Sequence, residues 1–378
     1  MTVASEHHIA SAPFRCLQLV PDTRDAGAEN QARYLLEGLR EREGIAPELA
    51  YFGVERAHQQ FTELGVPMRH VPRRGRFRFD AYGRMRRLRR GYAGDPPEIL
   101  HTWLLEGNVI GLAAARAWPE TRVVITQAGS WNELDHPGLV RLERLLLSRA
   151  DHAISNSQGG AEMLADLGMA PARISVIPNG IPESRVESHA ERETLRAQLG
   201  WSDHEVVAWA GRMSDDKTAA QKDFGGLLAA ARALRTRRPS VMLAVIGATR
   251  DELSARGFEL PEWAAALGWR TDPADLFRAS DLVAISSRME GSSNVAGEAL
   301  LVGTPVVSTD CGDHCEVVRM TGGQVVRPGD PEALARAMRL ALERKPDRSA
   351  IRRTAQEALS VSEMVERTQA VYERLLGR

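Results

Sequence analysis

The sequence predicts an α/β fold made of two Rossmann-like domains, and three observations lead to this prediction. The chain has 378 residues, a length for which two domains are the default expectation. Short apolar runs rich in β-branched residues alternate with amphipathic helical patterns, as in parallel sheets covered by helices. The stretch 281–310 also reads as a complete strand, small-residue turn, helix and parallel strand.

In the first half of the chain, predicted strands and helices follow one another in order. FRCLQLVPD is the first strand, and DAGAENQARYLLEGLRE is a turn entering a helix with Leu35, Leu36 and Leu39 facing inward. Further strands are predicted in the segments PELAYFGV, FTELGVPMRHVP, PEILHTWL (97–104) and TRVVITQAGSW (121–131).

In the second half, HEVVAWAGRM (204–213) and VMLAVIGAT (241–249) are predicted strands. The segment SDDKTAAQ (214–221) reads as a loop, and a helix is predicted to begin at Lys222 in KDFGGLLAAARALRTRRP. The last predicted helix, SVSEMVERTQAVYERLLG, places Met364, Val371 and Leu375 at helical spacing.

Bulk composition excludes several classes of function. The net charge is −1, which gives no general attraction for nucleic acid. The three cysteines are an odd number without a four-ligand zinc spacing, so we expect a reducing compartment. We find no signal peptide and no run of 18 apolar residues, and therefore expect a cytoplasmic protein.

The most basic segment, RRGRFRFDAYGRMRRLRRGY (73–92), allows two interpretations. Tyr82, Met85 and Leu88 are predicted to share one face of a helix, with arginines elsewhere. The arginines then either form a solvated surface or attach the protein to anionic lipid at the inner face of a membrane, where each basic residue adds about 1 kcal/mol.

The turn after residue 286 brings two acids to the start of a helix. Glu290 precedes the turn, and Glu298 lies eight positions later, about one turn into NVAGEALLVG. Unpaired N–H groups at a helix start stabilise an anion such as a diphosphate, and a carboxylate can accept two hydrogen bonds from a sugar diol. On spacing alone, an alternative without a binding role is equally open. In that alternative Glu290 is a solvated surface residue, and Glu298 is an ordinary acid that the helix dipole favours near a helix start.

The stretch EGSSNVAGEALLVGTPVVSTDCG resembles the E-x7-E signature of the family 4 retaining glycosyltransferases, which have the GT-B fold. That fold has two Rossmann-like domains facing across a cleft and a C-terminal helix that crosses back to the first domain. The segments PEILHTWL, KDFGGLL and 321–343 also resemble the family. The Asn179-Gly180 turn resembles its linker, which implies an acceptor domain over 1–182 with helix 362–378 and a donor domain over 183–361.

The resemblance implies roles for the residues around the signature. Glu298 would accept from the ribose hydroxyls, and Glu290 would accept from the hexose and orient its anomeric carbon. Backbone N–H groups of the turn and helix start would hold phosphate or sugar oxygens; the residues concerned are Gly291, Ser292, Ser293, Asn294 and Val295.

A second set of implied contacts lies outside the signature. Gly211-Arg212 resembles the family's Gly-Arg pair, which grips the diphosphate together with a lysine. Lys217 has the expected spacing from Arg212, whereas Lys222 has the expected relation to the following helix, and we favour Lys222. The resemblance also implies nucleotide contacts from Arg270, in the segment LGWRTDPADLFRASDL, and from Gly27, in a turn that resembles the family's glycine turn.

We therefore expect transfer of a sugar from a nucleotide-sugar, UDP- or GDP-linked, to a glycan or lipid-linked acceptor. The product would belong to polysaccharide, lipopolysaccharide or glycolipid biosynthesis. We expect no resident cofactor and no metal, because no Asp-x-Asp lies at a strand end and positive groups can stabilise the leaving diphosphate.

One position departs from the family pattern. Many members carry a histidine near the transferred sugar where this chain has Ala128. Either the chain belongs to a subgroup without that histidine, or Gln127, Ser130 or Trp131 supplies the contact. Two other functions therefore stay open: a GT-B nucleotide-sugar epimerase and a non-catalytic sugar-binding module. A Rossmann oxidoreductase is disfavoured because no predicted strand is followed by G-x-G-x-x-G.

Overall fold

A computed structural model describes residues 12–23, 27–53, 57–72, 80–127, 137–187, 190–213, 216–290, 293–312 and 314–378, without the side chains of 216 and 217. The chain divides into two compact units. Unit 1 comprises Met1–Asn156, Gly160–Ile177 and Met364–Arg378, and unit 2 comprises Ser157–Gly159 and Pro178–Glu363.

Unit 1 contains a seven-stranded sheet with the order β3-β2-β1-β4-β5-β6-β7, and all of its neighbouring strands are parallel. The strands are β1 (Phe14–Val20), β2 (Ile45–Tyr51), β3 (Met68–His70), β4 (Ile99–Trp103), β5 (Arg122–Gln127), β6 (His152–Ser155) and β7 (Ile174–Val176). Central strands such as β4 are buried along their whole length, because helices cover the sheet.

The described helices of the first half are α1 (Gly27–Arg40), α2 (Gln59–Thr62), α3 (Ala81–Gly91), α4 (Leu104–Ala115), α5 (Pro137–Leu146) and α6 (Gln158–Asp166). Helix α1 buries Leu35, Leu36 and Leu39, as its periodicity predicts. Helix α4 is apolar nearly all round and packs between α3 and α5.

Unit 2 contains a six-stranded parallel sheet with the order β10-β9-β8-β11-β12-β13. The strands are β8 (Glu205–Ala210), β9 (Val241–Ile246), β10 (Ala264–Ala266), β11 (Leu282–Ile285), β12 (Val306–Thr309) and β13 (Gln324–Val326). The helices are α7 (Arg192–Leu199), α8 (Asp216–Lys222), α9 (Phe224–Arg237), α10 (Arg250–Ser254), α11 (Pro273–Ala279), α12 (Asn294–Leu301), α13 (His314–Met320), α14 (Pro331–Arg344) and α15 (Arg348–Leu359). The prediction of two α/β domains with parallel sheets is confirmed.

The last helix, α16 (Val361–Leu376), begins in unit 2 and continues in unit 1. Tyr372 anchors it to the sheet of unit 1, since its hydroxyl accepts from Gln18 at 3.0 Å and contacts His101 Nδ1 at 2.5 Å. The C-terminal helix was predicted to return to the first domain, and Met364–Arg378 belong to unit 1.

The prediction that a helix begins at Lys222 is wrong. Residues 216–222 form α8, and Lys222 is its last residue. Asp223 then adopts a left-handed conformation and caps α9, with its side chain accepting from Gly226 N at 3.2 Å. Because an N-cap residue lies outside the helix that it caps, Lys222 cannot be in the first turn of α9.

The predicted apolar face of α3 is also wrong in part. Leu88 is fully buried and Met85 is half-buried, but Tyr82 is 69% exposed. Steps of three residues fall short of the 3.6-residue turn, so the direction of the side chain drifts over six residues. Arg84, four residues before Leu88, takes the buried position instead.

Several arginines of α3 are bonded within unit 1. Arg84 pairs with Glu106, and Arg89 donates to backbone carbonyls of α4. Residues 73–79 of the basic segment lie outside the described residues. Within the described ranges, every helix is too short or too polar to cross a lipid bilayer.

Candidate active site

The carboxyl ends of β8, β9 and β10 meet at one edge of the unit 2 sheet. Gly211 N donates to Ile246 O at 3.0 Å, and Gly247 N donates to Gly268 O at 2.7 Å. Gly247 has a φ of +94°, and a Cβ at this position would lie 2.6 Å from Gly211 O. This close backbone approach requires glycine at 247 and brings the loop that carries Arg212 against its neighbours.

Glu290 follows β11 at the same edge and is held from three sides. Lys222 Nζ lies 2.5 Å from Glu290 Oε1, and Ser287 Oγ donates to the same oxygen at 2.7 Å. The backbone N–H of Glu290 donates to Cys311 O at 2.5 Å. A charge-assisted bond to a lysine, with a second donor on the same oxygen, fixes the direction of this carboxylate.

The end of α8 is attached to the loop that carries Glu290. Ser286 Oγ donates to Lys222 O at 2.7 Å, and the Arg288 N–H donates to Gln221 O at 2.8 Å. These bonds explain how Lys222 reaches Glu290 from a different segment of the chain. The side chain of Lys217 lies outside the described residues, so the choice between the two lysines stays a prediction.

The start of α12 carries polar groups that line a small cavity. Ser293 caps the helix by accepting from Ala296 N at 3.4 Å. In the described part of the chain, Asn294 Oδ1 and His314 Nδ1 are buried without a hydrogen-bond partner, and both residues line this cavity with Gly297. A ligand hydroxyl or a water molecule can satisfy such atoms.

Glu298, in α12, is 4% exposed and pairs with Arg185, whose Nη2 lies 3.0 Å from Glu298 Oε1. Burial raises the pKa of Glu298 because it disfavours the charged carboxylate, and Arg185 opposes that rise. The second acid of the signature is therefore a buried carboxylate with one cation beside it.

The other predicted contacts have different surroundings. Arg212 is exposed just after β8, and Val295 is half-buried in α12. Arg270 is engaged by Asp272 through two bonds of 2.7 and 2.6 Å. Gly27 is the exposed first residue of α1, with open space where a Cβ would be. Gly291 and Ser292 lie outside the described residues.

The candidates in unit 1 are only partly described. Gln127 is buried at the end of β5, whereas Ala128, Ser130 and Trp131 lie outside the described residues. His101 is 1% exposed in β4, and its Nε2 lies 2.5 Å from Thr126 Oγ1. Burial lowers the pKa of His101 to about 3, so this imidazole is neutral at pH 7 and part of the core.

Sequence reasoning missed three residues of the site. Ser287 contacts Glu290, Arg185 pairs with Glu298, and His314 lines the small cavity with Asn294. Ser287 lies three residues before Glu290, and a polar residue so near an acid was the available signal. Arg185 and His314 are far from Glu298 and Asn294 in sequence, and no spacing rule connects them.

The site thus combines two carboxylates, a lysine, an exposed arginine and a helix start at the carboxyl edge of one sheet. Such an edge is where α/β proteins bind phosphorylated ligands. Among the described residues, no group of three or more His, Cys, Asp or Glu side chains is arranged to hold a metal ion.

Comparison with known families covers most of the chain. Residues 26–185 match the model described as Glycosyltransferase Family 4, and residues 204–344 match the model described as glycosyl transferases group 1. The two matches fall on the two halves of the chain. The second match includes both Glu290 and Glu298.

Similar proteins carry related names. The D-inositol 3-phosphate glycosyltransferase 1 of Catenulispora acidiphila is 30% identical over 255 residues, which cover 62% of this chain and 60% of that protein. The D-inositol 3-phosphate glycosyltransferase of Kineococcus radiotolerans is 27% identical over 377 residues, covering 88% of this chain and 86% of that protein.

Among solved structures, the Anabaena protein HepE in complex with UDP has a TM-score of 0.79 and 20% identity, covering 96% of this chain and 100% of that one. The two parallel-sheet units and these matches define the GT-B fold of glycosyltransferases. The chain belongs to family 4 of the glycosyltransferases, and this confirms the resemblance of its E-x7-E stretch.

Proposed function

We propose that this enzyme transfers a sugar from a UDP-sugar to an acceptor hydroxyl with retention of the anomeric configuration. The pairing of Lys222 with Glu290 beside the start of α12 is the observation that carries the proposal. This pairing supports the proposal, because a carboxylate of fixed direction suits sugar hydroxyls and the adjacent ammonium group suits a diphosphate. The bond from the anomeric carbon to the diphosphate breaks, the acceptor oxygen bonds to that carbon, and its proton passes to the departing diphosphate.

Uracil is the base that we favour over guanine. The Anabaena neighbour has been solved with UDP and, in a second structure with a TM-score of 0.75 and 20% identity, with UDP-glucose. That likeness supports the fold, and the choice of base is our proposal. Glu298 would accept from the ribose, and Arg270 and Gly27 stay predicted contacts.

Positive groups of the protein would stabilise the leaving diphosphate. Arg212 is exposed after β8, Lys222 is held near Glu290, and the N-terminus of α12 adds backbone donors. We therefore propose transfer without a resident metal or cofactor. Activity that disappears with a chelator and returns with magnesium would contradict this.

Two acceptor classes have support. The relatives from Catenulispora and Kineococcus are named for D-inositol 3-phosphate, which favours a phosphorylated polyol. A glycan or lipid-linked acceptor, in polysaccharide or lipopolysaccharide biosynthesis, is favoured by the exposed Tyr82 on the basic helix α3, with the Arg86 guanidinium 5.7 Å from the ring. Such a pair suits an anionic lipid surface.

Product analysis tests the proposal. The enzyme is incubated with UDP-glucose, UDP-galactose, UDP-N-acetylglucosamine or GDP-mannose, each with inositol phosphate or a lipid-linked sugar, and products are resolved by mass spectrometry and NMR. We expect one UDP-sugar to give a glycoside with the donor's anomeric configuration. Free epimerised sugar, or no turnover with any pair, would contradict it.

Sedimentation with vesicles tests the membrane contact. Vesicles with 30% anionic lipid should bind the wild type, and the variant Tyr82→Ser with Arg86→Gln should bind less. Vesicles of neutral lipid serve as the control. Equal binding to both kinds of vesicle would contradict an electrostatic contact.

A further inference from the structure

The carboxylate proposed to hold the ribose is already paired with a cation. Arg185 Nη2 lies 3.0 Å from Glu298 Oε1. The side chain of Glu298 is 5% exposed, whereas that of Arg185 is 40% exposed. An ionised carboxylate has about four acceptor sites, so Glu298 keeps acceptor capacity for a ligand hydroxyl while it is paired with Arg185.

Arg185 is presented by an anchored turn. It ends the 3₁₀ turn Glu183–Arg185, and its N–H donates to Pro182 O at 3.0 Å. Just before this turn, Ile181 N donates to Leu359 O at 2.9 Å. The guanidinium is thus brought to α12 by backbone bonds that do not depend on Glu298.

We propose that Arg185 is a positioning residue for donor binding: its ion pair keeps the Glu298 carboxylate ionised and in a fixed direction, so that the carboxylate can accept from the nucleotide ribose. This inference depends on the ribose role of Glu298 proposed above. A carboxylate buried without a cation takes up a proton and loses part of its acceptor capacity.

The surroundings of Glu298 contain other charged or titratable groups. The helices packed against α12 are α11, α13 and α15. Their charged or titratable residues are Asp275, Arg278, His314, Cys315, Glu316, Arg319, Arg348, Arg352, Arg353 and Glu357. Burial and Arg185 account for the shifted pKa of Glu298, and none of these ten residues contributes.

The test is calorimetric titration of UDP between pH 5.5 and 8.5 into the wild type, Arg185→Gln and Arg185→Lys. Arg353→Gln removes another exposed arginine and is the matched control. The protonation of UDP itself is the same in the experiments with all four proteins. Differences between their pH profiles therefore come from groups of the protein. Thermal unfolding without ligand shows that each variant is folded.

We expect Arg185→Gln to move the acid-side loss of affinity upward by about one pH unit, while its Kd at pH 8.5 stays within about threefold of the wild type. Arg185→Lys and Arg353→Gln should follow the wild-type profile. An unchanged profile in Arg185→Gln, or an equal loss at every pH, would overturn the inference. Glu298→Gln separates the two proposals, since UDP affinity that is unaffected by this variant removes the ribose role itself.

Discussion

The buried histidine of β4 predicts that unit 1 loses stability in mild acid. His101 has its Nδ1 2.5 Å from the Tyr372 hydroxyl and its Nε2 2.5 Å from Thr126 Oγ1. Burial lowers its pKa from 6.5 to about 3. Protonation would place a charge in the core beside two groups that already use both ring nitrogens.

The size of the effect follows from linkage. Above pH 6.5 the histidine is neutral in both the folded and the unfolded chain, so it contributes no pH dependence. Between pH 6.5 and 3 the unfolded chain binds a proton that the folded chain does not, so the free energy of unfolding falls as the pH falls. At about 1.4 kcal/mol per pH unit, the loss is about 2 kcal/mol at pH 5 and about 5 kcal/mol at pH 3.

Hydrogen exchange of the β4 amides measures this loss, after correction for the intrinsic pH dependence of exchange. In His101→Gln, the free energy of unfolding should fall by about 2 kcal/mol less between pH 7 and pH 5 than it does in the wild type. His152 is left in the variant, and its pKa, lowered to about 4 by burial and by Arg374 and Arg173, contributes in the same direction. An imidazole NMR signal of His101 that titrates near pH 6.5 in the folded protein would refute the reasoning.

Further substitutions test the rest of the structure. Arg212→Ala should lower kcat/KM about 100-fold or more if the arginine stabilises the leaving diphosphate, and near-normal turnover would exclude this role. Gly247→Ala should lower the unfolding free energy by at least 1 kcal/mol, because the new Cβ meets Gly211 O; unchanged urea denaturation would contradict that contact. Tyr372→Phe should lower it by about 1 kcal/mol through the lost hydroxyl contacts, and an unchanged Tm would show that the hydroxyl does not anchor α16.

The sheets and the signature were predictable because their information is local. Buried parallel strands are continuous apolar runs, and β8, β9 and β11 all show them. Glu290 and Glu298 are separated by a fixed spacing across one turn and one helix start. A pattern confined to a few consecutive residues survives in the sequence whatever the rest of the chain does.

The parts that sequence reasoning missed depend on long-range contacts or lack a period. Helix α8 has no apolar stripe, and its residues DKTAAQK combine helix formers with polar surface, so it reads equally as a loop. Arg84 is buried because its guanidinium lies 5.0 Å above the Phe52 ring and pairs with Glu106. Neither partner can be identified from the sequence of α3.

Both acids of the signature are paired with a cation from another segment, and this affects how any substitution is interpreted. Removing Glu290 breaks its ion pair with Lys222, and removing Glu298 breaks its ion pair with Arg185. An alanine variant therefore reports the lost acceptor together with a broken ion pair. The amides Glu290→Gln and Glu298→Gln break the same ion pairs but keep the side-chain shape, so comparing amide with alanine separates the effect of shape from that of charge. The double variants Lys222→Met with Glu290→Gln and Arg185→Gln with Glu298→Gln then complete each cycle and give the coupling energy of each pair.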